Sequence, residues 1–148
     1  MNTLLHETSH NILRYNYPNA PRWLNEGIAT LLGYLAETSD RHIGYVAQGS
    51  YIRKIRDSIK AGLFNLDNFF NYKDADWFNK DKRDMLYATS YCIIYCMTKF
   101  EKDYLGQVLV LMKRGYSTQN AIKTVFGSMD KFRDLFKFFY TVSVGPQF

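Results

Sequence analysis

Cysteine is scarce: Cys92 and Cys96 are the only two in 148 residues, so no disulfide framework holds this chain together. Four apart in a stretch that reads as a buried helix, they project from successive turns in poor bridging geometry, and buried free thiols are expected. No apolar run approaches the roughly 20 residues that span a bilayer, and the first residues lack the basic, apolar, then small-residue order of a signal peptide. Massed like charge is missing too. Lys and Arg outnumber Asp and Glu 19 to 14, for a net charge of +5, but the bases are scattered at helical spacing (Arg53, Lys54, Arg56, Lys60; Lys131, Arg133, Lys137) among acids. That pattern describes solvated helix faces and argues against a nucleic-acid partner. Without internal repeats, low-complexity segments or a linker, residues 1–148 form a single domain.

What the chain does have is apolar material. Hydrophobic residues make up 47% and aromatics 17%, ample for a packed core. The periodicity predicts a mainly α, compact helical bundle without period-2 strands. A first helix is expected over 3–14, ended by Asn16, Pro18, Asn19 and Pro21. Pro21 suits the first turn of a second helix, whose Leu24, Ile28, Leu31, Leu32 and Leu35 share one buried face. A loop over 37–44 leads to a helix near 46–61 and a looser stretch ending about Asp81. The longest apolar helix is expected over 83–100, and Ser117 and Ser128 are N-caps for helices near 118–125 and 129–140.

His6-Glu7-Thr8-Ser9-His10 is an H-E-x-x-H motif on the first helix. Residues four apart on a helix lie about 40° from each other and about 6 Å along the axis, so two imidazoles can converge on one ion. Glu7 falls beside such an ion, where a carboxylate can hold a water and take its proton. Glu26 follows in the next helix, flanked by Gly27, Ala29 and Gly33, small residues that permit close approach. Two His and one Glu around an open fourth position form a known catalytic zinc ligand set. Thr30, one turn after Glu26, is a candidate hydroxyl for orienting that carboxylate. His42, beside Arg41 in a loop, has no ligand-like spacing and reads as a surface residue.

H-E-x-x-H followed by Trp23-Leu24-Asn25-Glu26-Gly27-Ile28-Ala29 resembles the gluzincin metallopeptidases, above all the peptidase MA-like group and the aminopeptidase N type. The resemblance implies one Zn2+ per chain, bound by His6, His10 and Glu26, with Glu7 as general base in hydrolysis of a peptide or protein substrate. It continues through Tyr87-Ala88-Thr89-Ser90-Tyr91, and implies that Tyr87, or second Tyr91, stabilises the oxyanion. The implied fold is the C-terminal catalytic half of a gluzincin peptidase, with the N-terminal sheet absent and the chain a fragment of a larger peptidase domain. Fifteen residues between His10 and Glu26 are fewer than in the aminopeptidases, which fits the MA-like group better and leaves exopeptidase action open. Two further readings stand beside the enzyme: a non-catalytic, zinc-stabilised helical binding module, and a metal-free helical interaction domain. Compartment, oligomeric state and cleavage preference have no signal in these residues.

Overall fold

A computed structural model describes residues 1–37, 42–100 and 102–144. Most of its helices open on a side chain that accepts from an otherwise orphaned amide. Asn2 accepts from the Leu5 amide at 3.2 Å to start α1 (Thr3–Asn16). Pro21 stands just before α2 (Arg22–Gly33), its fixed φ of −65° already suited to the helix entry. A short antiparallel hairpin follows, β1 (Leu35–Glu37) and β2 (Ile43–Tyr45), and then α3 (Gly49–Lys60). The chain turns through α4 (Leu66–Phe70) and a 3-10 segment (Asp74–Phe78) into α5 (Lys80–Thr98), which Asn79 caps. Asp103, Ser117 and Ser128 cap α6 (Tyr104–Lys113), α7 (Thr118–Phe126) and α8 (Met129–Phe138), which runs on into a π-helical turn, Phe139–Ser143.

The organising element is α5, buried without a break from Ala88 to Met97. A helix that is apolar all round must be covered on every side, and α2, α3 and α6 do so. Its approach to α2 is set by Gly27, where a Cβ would lie 2.6 Å from the Ser90 carbonyl oxygen and 2.7 Å from Ile94 Cγ1. Behind α5 lies a continuous aromatic interior. Phe132 packs on Phe126 at 4.8 Å between ring centres, Phe136 on Tyr140 at 4.8 Å, and Phe64 stacks on Phe136 at 5.4 Å. The buried Tyr140 hydroxyl donates to the Cys92 carbonyl at 2.6 Å, so the one polar atom this ring carries inward is satisfied.

The expected mainly α bundle is the observed one. Cys92 and Cys96 are buried free thiols, and burial raises both well above the ordinary thiol range. No helix among the described residues is long and apolar enough to cross a membrane. Four features differ from the expectation. Helix α2 stops at Gly33, so Leu35 lies in β1 and does not join the helix face of Leu24, Ile28 and Leu31. The 37–44 loop overlaps the hairpin, with Glu37 ending β1 and Ile43 opening β2, although its residues 38–41, Arg41 among them, lie outside the described residues. The loose stretch before Asp81 holds α4 and the 3-10 segment. Helix α6 had no counterpart at all, because Leu105, Val108, Leu109, Val110, Leu111 and Met112 form a nearly unbroken apolar run with no 3.6-residue alternation.

Candidate metal centre

Helix α1 reaches the rest of the fold mainly through α2. The two are held at one end by the Asn2 amide, which donates to the Gly33 carbonyl at 2.6 Å. A Cβ on Gly33 would sit 2.8 Å from Met1 Cγ and 3.4 Å from the His6 Cβ, so the bare glycine lets α1 lie close where His6 begins the motif. This placement brings His6 and His10 from α1 and Glu26 from α2 onto one point, their candidate donor atoms all within 4.8 Å of one another.

The geometry is specific. The two Nε2 atoms are 3.1 Å apart, and Glu26 Oε2 lies 3.9 Å from His6 Nε2 and 3.7 Å from His10 Nε2. A triangle with those sides has its circumcentre about 2.1 Å from each corner, within the range of zinc bonds to imidazole nitrogen and carboxylate oxygen. The two imidazoles meet edge to face, with their planes at 85° and their ring centres 4.7 Å apart. The donor set and its spacing therefore fit a zinc ion.

Two further residues orient these donors, and neither was anticipated. Asn25 Oδ1 accepts from His10 Nδ1 at 2.7 Å, which puts the proton on Nδ1 and leaves the Nε2 lone pair facing the cluster. Arg22 Nε lies 3.7 Å from Glu26 Oε1, the carboxylate oxygen not directed at the histidines. Its guanidinium sits 5.4 Å from the Trp77 ring centre and 4.9 Å from that of Phe78, held by cation–π attraction. Arg22 is four residues before Glu26, a spacing that favours helical ion pairs, and this was the readable signal; nothing in the spacing singled out Asn25. Thr30, expected to orient Glu26, is buried and lines a cleft on the His6 side. His6 Nδ1 is buried without a hydrogen-bond partner among the described residues.

The cluster lies between two open clefts. One, of about 590 Å³, is lined by Glu7, His10, Glu26, Arg14, Arg22 and Asp74 among others. Glu7 is exposed and lines this cleft together with His10 and Glu26. The other, of about 500 Å³, is lined by His6, Thr30, Tyr51, Lys80, Arg83, Tyr87 and neighbours. Tyr87 packs edge-on against Trp77 at 5.4 Å. Burial, and then repulsion from the nearby Glu26 carboxylate, raise its phenol above the ordinary value, while the adjacent Arg22 guanidinium pulls the other way. Tyr87 therefore stays a proton donor beside the cluster. Tyr91 is placed differently. It is fully buried, stacked on Tyr95, and its hydroxyl accepts from the Gln48 amide at 2.9 Å. His42 is exposed and stands outside the donor cluster. No family model matches the chain, and no curated protein or solved structure matches it.

Proposed function

We propose that this protein is a zinc-dependent peptidase of the gluzincin kind, with His6, His10 and Glu26 as ligands and Glu7 as general base. The observation that supports this most strongly is the common point about 2.1 Å from all three donor atoms. Zinc held there would supply Lewis-acid polarisation of the scissile carbonyl and of the attacking water, whose pKa falls toward neutrality. The remaining work belongs to side chains of this chain. Glu7, exposed in the cleft that His10 and Glu26 also line, accepts the proton of the attacking water and passes it to the leaving amine. Tyr87, across the cluster and protonated, donates to the carbonyl oxygen as negative charge develops on it. Arg22 occupies Glu26 Oε1 and leaves Oε2 for the metal. Asn25 keeps His10 in the tautomer a ligand needs.

The test is digestion of a broad peptide library by the zinc-loaded chain and by Glu7→Gln. Hydrolysis that falls about 10²- to 10⁴-fold in the variant, with zinc retained, supports the proposal. Zinc binding without cleavage of any peptide replaces it with a zinc-stabilised binding module, in which chelation lowers thermal stability. A chain that neither takes up zinc nor responds to chelators is the metal-free interaction domain, and the peptidase reading fails.

A further inference from the structure

The two clefts beside the donor cluster carry opposite electrostatic characters. On the His10 side, Glu7, Glu26 and Asp74 face Arg14 and Arg22, and Arg22 is already committed to Glu26. On the His6 side the acid present, Asp84, is ion-paired with Lys54. Lys80 and Arg83 are thereby left as cations with no ion pair among the described residues. They stand three apart on one face of α5, so both side chains can reach a single anion. The phenols Tyr51 and Tyr87 and the Thr30 hydroxyl share that cleft, offering donors to the same group. Basic residues in the first turn of a helix oppose its dipole; Lys80 and Arg83 therefore gain nothing for α5 from their position.

Building on the peptidase reading, we infer that the His6-side cleft is a carboxylate subsite. A substrate's anionic group sits between Lys80 and Arg83, and the peptide crosses the donor cluster with its acidic portion on that side. A free C-terminus and a Glu or Asp side chain both present this chemistry.

Fluorescence anisotropy with labelled hexapeptides separates the two sources and tests the subsite with and without zinc. The peptide set pairs a free C-terminus with an amidated one, and Glu with Gln at interior positions. Peptides with the relevant carboxylate should bind about tenfold tighter than their neutral partners, and the preference should vanish in the Lys80→Glu, Arg83→Glu double variant. That variant places acids where the helix dipole favours them, so α5 should fold. Equal affinity for acidic and neutral peptides, or a preference that survives charge reversal, overturns the subsite. Zinc uptake is measured separately on the same samples. Its absence sinks the peptidase reading, whereas a charge preference in metal-free chain still upholds the subsite.

Discussion

The edge formed by α1 and α2 and the interior around α5 are built on different terms. In the interior, rings fill space and the fully buried hydroxyls of Tyr140 and Tyr91 are spent on fixed partners, the Cys92 carbonyl and the Gln48 amide. At the edge, two imidazoles and a carboxylate converge in the seam between α1 and α2, each largely but not fully buried. The outer face of α1 leaves Leu4 75%, Ile12 57% and Tyr15 87% exposed. A cluster of two imidazoles and a carboxylate adds little to stability by itself, because grouped polar atoms relinquish solvation without burying apolar area. The fold is therefore carried by the α5 region, and the edge is free to hold chemistry. Metal should tighten α1 against α2 without being needed for the interior.

The strongest way to break this division is Phe136→Ala. Phe136 is fully buried, and its loss should cost about 3–5 kcal/mol in denaturant unfolding while folded molecules keep their zinc affinity. Weakened zinc binding in the folded variant would show that the two regions are coupled. Next comes a pair of tyrosines. Tyr87→Phe should lower turnover about 10²- to 10³-fold with stability unchanged, whereas Tyr91→Phe should leave turnover intact and cost about 1 kcal/mol by stranding the Gln48 amide. Interchanged outcomes would move the proton donor into the interior. Smaller again, Asn25→Ala should weaken zinc about 10- to 100-fold in a chelator competition, with the melting point of metal-free protein unaltered. Smallest is Tyr15→Ser, which should shift unfolding by less than about 0.5 kcal/mol; a larger loss would mean that the outer face of α1 is packed in solution.

Legibility in the sequence followed the same division. Helix α2 was readable from its apolar spacing, α1 from the Asn and Pro residues that end it and α5 from the length of its apolar stretch, and the hydrogen-bonded caps at Ser117 and Ser128 are those expected from the residues alone. The hairpin was not readable, since strands of three residues are too short to display a period of two. At the site, His6, His10 and Glu26 could be named from motif spacing, and the structure brings those three together. The four-residue spacing of Arg22 to Glu26 signalled their ion pair, but Asn25 could not be given a role. An amide's reach across to another helix, and a guanidinium's seat on Trp77 and Phe78, depend on tertiary placement that local pattern does not encode. Tyr87 and Tyr91 lie on successive turns of α5, and only the packing of that helix shows which hydroxyl borders the cleft.

Zinc binding by equilibrium dialysis tests the central claim most directly, using wild-type chain, His10→Ala and Glu26→Ala, each checked for helical circular dichroism. About one zinc per wild-type chain, and loss of that binding in both folded variants, is the expected result. A wild-type chain that takes up no zinc, or variants that bind it as well as the wild type does, would contradict the account.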